Sequence, residues 1–191
     1  MRLEHLKVSD YSQSTWTGGI TRQIMIEPRE ALYAGRGFLW RLSSALIELS
    51  ESDFTPLPDY DRQILVLEGE LKLTHDAGGV IGLAPFEAHA FDGAASTHAC
   101  GRCRDFNLMT RKGRCAGGLS ALHPREPFSL FKPEEETFAF YCAQGQARIA
   151  AQGEVILLFR EETLLISNGA GKLSLAGEPG AILILARIYN V

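Results

Sequence analysis

The sequence of 191 residues has few cysteines and no long apolar run, and each absence excludes a class of protein. Four cysteines are too few for a disulfide-stabilised scaffold. No apolar run approaches the roughly 20 residues that a membrane-spanning helix needs. The charged segment Met1–Tyr11 lacks the apolar core of a signal peptide. We therefore expect a cytoplasmic protein with reduced thiols.

The sequence also lacks an excess of positive charge. It contains 19 Lys and Arg against 23 Asp and Glu, which gives a formal net charge of −4. Nucleic acids and acidic membrane surfaces attract basic protein faces, so we expect neither as the main partner. The apolar fraction of 46% is typical of a globular protein and excludes intrinsic disorder.

No long segment shows helical periodicity. Short apolar segments instead recur about every ten residues between Gly, Pro, Asn and Asp, a pattern typical of an all-β sandwich or barrel. The predicted strands are 22–27, 38–49, 63–74, 106–109, 137–142, 155–159, 163–167, 172–175 and 181–189.

A proline-rich stretch divides the chain. Residues 117–136 contain Pro124, Pro127 and Pro133 and show little alternation. Because proline removes a hydrogen-bond donor from a sheet, this stretch is predicted to be a connector. The expected organisation is an N-terminal module over 1–116, the connector over 117–136 and a C-terminal module over 137–191.

The two predicted modules share a weak internal similarity at an offset of 76 positions. This offset relates Gly69 to Gly145 and Gly93 to Gly169, with similar apolar neighbours. A strand, a glycine turn, a strand and a return strand ending in glycine is the layout of half a jelly roll. Duplication is one interpretation, and a chance match between two hairpins is the other.

Motifs for metal, cofactor and nucleophilic chemistry are mostly missing. A jelly roll that binds a catalytic metal typically supplies a His-x-His pair, whose side chains leave the same face of a strand. No such pair occurs, and no histidine follows His123. The sequence also has no Gly-Lys-Ser/Thr phosphate loop and no G-x-S-x-G nucleophile. We therefore predict no cofactor and no catalytic metal.

One cysteine motif keeps a zinc or thiol sensor open as an alternative. Cys100 and Cys103 form a C-x-x-C, His98 precedes them, and Cys115 follows. Structural zinc requires four ligands of this kind. A second C-x-x-C is absent, and a redox pair would need a helix N-terminus that the sequence does not predict. Free thiols in a loop are the expected outcome.

Polar residues embedded in apolar strands are the remaining candidates for a site. Arg41 and Ser43 share one face of a predicted strand, as do Asp105 and Asn107, and Arg62 leads into another apolar run. One interpretation is that the arginines form structural ion pairs and that Asp92 forms a turn. The other is a polar pocket in which a guanidinium binds a carboxylate with two hydrogen bonds.

Several of these segments together resemble the HutD/Ves family. The matching segments are Trp16–Arg22, Phe38–Ala45, Asp61-Arg62, Phe91–Gly93 and Arg104–Met109, in this order over the first ~115 residues. The C-terminal third resembles the family only in its strand pattern. This chain differs from the family pattern in the polar stretch 50–54 and in the Cys100/Cys103 pair.

The resemblance implies a bacterial cytoplasmic bicupin, with two jelly-roll or β-barrel modules packed in one compact chain and no cupin metal site. It further implies a role in histidine utilisation or in a stress response, and for the HutD branch an acidic ligand such as formylglutamate. By position, the implied ligand-binding residues are Trp16, Thr21, Arg41, Ser43, Arg62, Asp92, Asp105 and Asn107.

The leading functional hypothesis is a non-enzymatic protein that binds a small acidic metabolite. The alternative enzyme is a metal-free isomerase or lyase acting on a small carboxylate, with Asp105 or His89 as the general base. The third hypothesis is the zinc or thiol sensor built on His98, Cys100, Cys103 and Cys115. Proteins of this fold class have exposed strand edges that can pair with a second copy, so we also expect a homodimer.

Overall fold

The computed structural model describes residues 1–76 and 78–191, and it confirms the predicted all-β class. The described helices are two short 3₁₀ turns, Val8–Asp10 and Tyr33–Gly35. Within these residues, no helix has the length and apolar character required to cross a membrane.

The described residues form nineteen strands. In chain order, β1 to β19 are Arg2–Leu6, Ser12–Trp16, Gly19–Glu27, Trp40–Ile47, Glu51–Phe54, Tyr60–Gly69, Leu71–His75, Val80–Leu83, Ala88–Asp92, Thr97–Cys100, Cys103–Arg111, Cys115–Leu122, Phe128–Lys132, Glu136–Gln144, Gln146–Ala151, Glu154–Phe159, Thr163–Ser167, Gly171–Gly177 and Ile182–Asn190.

One unit of the chain comprises Tyr11–Ala116 together with Val191. It contains a six-stranded sheet of order β2-β3-β4-β11-β6-β9 and a four-stranded sheet of order β5-β10-β7-β8. Alternating residues of both sheets, such as Ile64, Val66 and Leu73, form a buried apolar cluster. Burial of this cluster from water is the main stabilising contribution to this unit.

The other unit comprises Met1–Asp10 and Gly117–Asn190. Its sheets have the orders β1-β17-β14-β19-β12 and β13-β18-β15-β16. A second buried cluster, which includes Phe140, Ile149 and Leu175, draws its side chains from both sheets.

The two units repeat the same strand order. The orders β4-β11-β6-β9 and β5-β10-β7-β8 of one unit become β12-β19-β14-β17 and β13-β18-β15-β16 when each strand number is raised by eight. Gly69 and Gly145, the first pair related by the 76-residue offset, both have positive φ angles, +87° and +66°. Each glycine stands where the chain leaves one sheet for the other.

The observed units begin and end at positions that differ from the expected boundaries. Strand β1 pairs with β17, so the first ten residues group with the second half of the chain. The expected connector 117–136 contains most of β12, all of β13 and the start of β14. Pro127 and Pro133 directly flank β13, which leaves the paired residues free of proline.

Candidate functional site

A cavity of about 380 Å³ lies within the unit Tyr11–Ala116. All of the predicted ligand-binding residues except Asp92 line it. Its walls come from β2, β3, β4, β6 and β11 of the six-stranded sheet and from β5 of the four-stranded sheet.

The register of the six-stranded sheet explains why these side chains converge. Met109 of β11 pairs with Arg41 of β4 on one side and with Arg62 of β6 on the other. Two residues along β11, Asn107 pairs with Ser43. Paired residues and residues two apart point to the same face of a sheet. The two guanidinium groups are therefore presented to one cavity.

Arg41 is held by polar and aromatic neighbours. Its Nε donates to Oε1 of Gln23 at 2.8 Å, and its Nη1 donates to Oγ of Ser43 at 3.1 Å. The guanidinium carbon lies 4.4 Å from the ring centroid of Tyr33, a cation–π contact. Since a guanidinium carries five N–H donors, these two hydrogen bonds leave others available to a ligand.

Arg62 packs against two neighbouring aromatic rings. Its guanidinium carbon is 4.8 Å from the ring centroid of Phe54 and 5.0 Å from that of Phe91. Its Nη1 donates to the carbonyl oxygen of Thr55 at 3.3 Å. The buried Nε has no hydrogen-bond partner among the described residues.

Both guanidiniums are buried cations without an ion-paired carboxylate. Arg41 and Arg62 are 6% and 8% exposed. In the part of the chain that the structure describes, neither lies within ion-pair distance of a carboxylate. Burial lowers the pKa of Arg41 to about 10 and lowers the pKa of Arg62. An unpaired buried charge is costly, and a bound anion would offset that cost.

A carboxyl–amide pair forms another part of the cavity wall. Oδ1 of Asp105 accepts hydrogen bonds from the backbone N–H of Ala45 at 3.1 Å and from Nδ2 of Asn107 at 2.6 Å. Burial raises the pKa of Asp105 to about 7, although both hydrogen bonds and the nearby Arg62 oppose this shift. With its pKa raised to about 7, the Asp105 carboxyl offsets the charge of the nearby Arg62 only in part.

Trp16 and Thr21 line the cavity, and two glycines shape the chain between them. Trp16 is 40% exposed, and its ring lies against Gly18, where an added Cβ would come within 2.0 Å of the ring. Gly19 has φ +151°, and a Cβ there would lie 1.9 Å from the carbonyl oxygen of Leu46. Gly18 therefore gives space to a side chain, whereas Gly19 allows the close approach of two backbones.

Replacing Gly18 with alanine is expected to displace the Trp16 ring from the cavity wall with little effect on the free energy of unfolding, since the side chain can move. Gly19→Ala is the matched comparison. It meets fixed backbone and should destabilise the fold by more than about 1 kcal/mol. Quenching of tryptophan fluorescence by acrylamide reports on Trp16, because the other tryptophan, Trp40, is buried. Equal quenching of Gly18→Ala and the wild type would contradict this placement of the ring.

Asp92 and His89 lie outside the cavity lining. The exposed Asp92 accepts hydrogen bonds from the backbone N–H of Ala94 and from Nζ of Lys112. Asp92 is therefore a turn residue, as the first of its two interpretations from the sequence held, and not a pocket residue. The pKa of Asp92 is lowered by these bonds. His89 instead contacts Nε2 of His75 through its own Nε2 at 2.9 Å.

The four residues of the zinc hypothesis are not brought together. Cys103 is buried in the apolar cluster of its unit, and burial raises the pKa of its thiol to about 12. The buried Cys115 donates from Sγ to the carbonyl oxygen of Leu39 at 2.9 Å. His98 is exposed and Cys100 is half-buried, both on β10. The C-x-x-C pair therefore separates, with one thiol in the core and the other near the surface.

The sequence did not indicate three further residues at this site. Tyr33 lines the cavity, and the guanidiniums of Arg36 and Arg41 lie 4.3 and 4.4 Å from its ring centroid. Ser52 of β5 also lines the cavity, and its buried Oγ has no partner among the described residues. Gln23 holds Arg41. The only indication in the sequence was that Ser52 and Phe54 are two residues apart, so that they share one face of a short strand.

The fold and this cavity define an all-β, cupin-like protein with a buried cationic pocket. The chain belongs to the HutD family, whose model matches residues 8–184. An uncharacterized 21.2 kDa protein in the hutC 3′ region of Pseudomonas putida is 38% identical over 178 residues, which cover 90% of this chain and 80% of that protein. The predicted family resemblance is confirmed.

Two solved structures extend the comparison over the whole chain. PA5104 from Pseudomonas aeruginosa PAO1, a conserved protein of unknown function, is 26% identical, with a TM-score of 0.89 and coverage of 99% of this chain and 100% of that one. HutD from Pseudomonas fluorescens SBW25 is 25% identical, with a TM-score of 0.81 and complete coverage of both chains. More distant structures, including a Bacillus subtilis oxalate decarboxylase, share only the fold, at 7–12% identity.

Proposed function

We propose that this HutD-family chain is a non-enzymatic binding protein for a small acidic metabolite, with an accessory or regulatory role in histidine utilisation. The observation that carries the proposal is the pair of buried guanidiniums, Arg41 and Arg62, that face one cavity without an ion-paired carboxylate. The position of the Pseudomonas putida relative in the hutC 3′ region supports the pathway.

The ligand we propose is a dicarboxylate that carries a formyl amide, of the formylglutamate type. Each guanidinium can bind one carboxylate, since each keeps free N–H donors. Asn107 and Ser43 would contact the amide, and Trp16 would cover the apolar stem. A cavity of about 380 Å³ is suited to a ligand of this size.

A titration with matched ligands tests the proposal. N-formyl-L-glutamate should raise the unfolding temperature in a saturable way, and at a hundredfold excess over Kd the stabilisation should be ~2.7 kcal/mol. The dimethyl ester of the same compound has the same stem without charge and should have no effect. Equal stabilisation by the acid and the ester would refute recognition by the guanidiniums, and no stabilisation by either would refute this ligand class.

Asp105 supports a second candidate function, a metal-free isomerase or lyase. Its pKa is raised to about 7 in the cavity, and general acid–base catalysis favours groups that titrate near the operating pH. Proton NMR of a bound carboxylate distinguishes the candidates. New product signals that disappear in Asp105→Asn would favour the enzyme, whereas an unchanged ligand in both proteins would favour binding alone.

A further inference from the structure

A second cluster of ligand-type side chains lies on β5 and β10, outside the cavity lining. One donor atom each from Glu51, His98 and Cys100 lies within 4.8 Å of the other two. Glu51 and His98 are exposed, and Cys100 is half-buried. We refer to these three residues as the β5–β10 cluster.

Strand register creates the cluster. The antiparallel pairing of β5 and β10 places Glu51 opposite Cys100, and His98 lies two residues along β10 from Cys100. The alternate residues Thr97 and Ala99 are buried. Since side chains alternate along a strand, the three donors share the outer face. The arrangement therefore comes from three separate sequence positions on rigid elements.

We propose that the β5–β10 cluster binds a divalent transition metal of the Zn²⁺ type, with a water molecule as the fourth ligand. Thiolate, imidazole and carboxylate are the three ligand types that Zn²⁺ takes from proteins, and three such ligands plus water make an open tetrahedral site. Tetrahedral zinc donors lie roughly 3.5 Å apart. The three donor atoms lie no more than 4.8 Å apart, and rotation of the exposed Glu51 side chain can bring its carboxylate closer to the other two donors.

The contact between Asp53 and His98 is a second observation that supports this site. Nδ1 of His98 lies 2.8 Å from Oδ1 of Asp53, which is opposite His98 on β5. An ionised carboxylate only accepts, so the imidazole donates from Nδ1 and its Nε2 lone pair stays available. Histidines that bind zinc typically donate their other ring N–H to a carboxylate in this way. Asp53 would therefore orient His98 and strengthen it as a ligand.

The site differs from the zinc hypothesis based on the C-x-x-C motif. It uses Cys100 alone, because Cys103 points into the apolar cluster of the unit. It gains Glu51, which is distant in sequence from the motif. Lys72 pairs with Cys100 on the other side of β10, and its exposed side chain must turn into solvent when the cation binds. The proposal does not depend on the function of the cavity.

Titration of the reduced full chain with Co²⁺ tests the site, because a thiolate bound to Co²⁺ absorbs in the near ultraviolet through charge transfer. We expect one equivalent of Co²⁺ to bind with this absorption and Zn²⁺ to displace it. Cys100→Ser should abolish the absorption, and Glu51→Gln and His98→Ala should each weaken binding at least tenfold. Asp53→Asn should weaken it about 10- to 100-fold while the charge-transfer band persists at saturation.

The controls separate this site from surface binding. His123→Ala removes an exposed histidine of the other unit and should leave Co²⁺ affinity unchanged. Glu51, His98 and Cys100 lie outside the cavity lining, whereas Asp53 also lines the cavity, so Asp53→Asn is compared with the wild type for metal binding only. Circular dichroism verifies that all variants fold. Absence of saturable binding in the wild type, or an unchanged charge-transfer band in Cys100→Ser, would overturn the proposal. Cys100→Ser should retain carboxylate binding in the cavity.

Discussion

Replacing Arg62 with methionine is expected to weaken the binding of a small carboxylate at least tenfold. Methionine keeps an apolar side chain packed against Phe54 and Phe91 but donates no hydrogen bond. Hydrogen bonds between charged groups contribute about 1.5–3 kcal/mol each, and 1.4 kcal/mol corresponds to a factor of ten in affinity. Titration calorimetry of the wild type and the variant measures the difference directly.

Two further substitutions give the comparison its controls. Arg62→Lys keeps the charge but loses the planar pair of donors, so its affinity should fall between those of the wild type and Arg62→Met. Arg187→Ala removes an exposed arginine that pairs with Glu136 in the other unit, and it should not alter affinity. Unchanged affinity in Arg62→Met would show that Arg62 does not bind the carboxylate. Equal losses in Arg62→Met and Arg187→Ala would indicate a nonspecific effect of charge.

The contribution of Asp105 to the free energy of unfolding should fall as pH rises from about 4 to 7, opposite in sign to the contributions of His75 and His89, whose pKa values are lowered by burial. Burial raises the pKa of Asp105 from 3.8 to about 7. Between these values the folded chain holds a proton that the unfolded chain has released, so the free energy of unfolding decreases with pH. The stabilising contribution of Asp105 is fully present below about pH 4 and is lost above about pH 7. A difference of about three pKa units corresponds to on the order of 4 kcal/mol.

Urea unfolding of Asp105→Asn and the wild type at pH 5 and pH 8 measures this contribution. The amide keeps an oxygen acceptor for the N–H groups of Ala45 and Asn107 but does not titrate. Relative to the wild type, the variant should become more stable between pH 5 and pH 8. Asp92→Asn is the control, because its lowered pKa leaves it ionised throughout this range. A constant difference between Asp105→Asn and the wild type would show that Asp105 does not titrate there.

Periodicity predicted the buried strands well and the exposed strands poorly. The predicted strand 163–167 coincides with β17, whose first four residues are buried. Strand β2 is exposed along its whole length, so it shows no apolar alternation and was not predicted. The apolar run 63–74 divides at Gly69 because its φ of +87° directs β6 and β7 into different sheets. Local sequence patterns do not determine sheet membership.

The sequence could predict only those parts of the candidate site that depend on two residues sharing one face of the same strand. Arg41 and Ser43, like Asp105 and Asn107, share a face because they are two residues apart. That Arg41 and Arg62 flank the same residue of β11 depends on a register between strands distant in sequence. Tyr33 lies in a short 3₁₀ turn that has no apolar pattern. Long-range pairing therefore supplied the information that the sequence lacked.

A crystal structure with N-formyl-L-glutamate bound tests the central claim most directly. We expect the ligand inside the cavity, with a carboxylate oxygen within hydrogen-bond distance of a terminal guanidinium nitrogen of Arg62. A second carboxylate oxygen should accept from Arg41. An ordered ligand outside the cavity, or one whose carboxylates contact neither guanidinium, would contradict it.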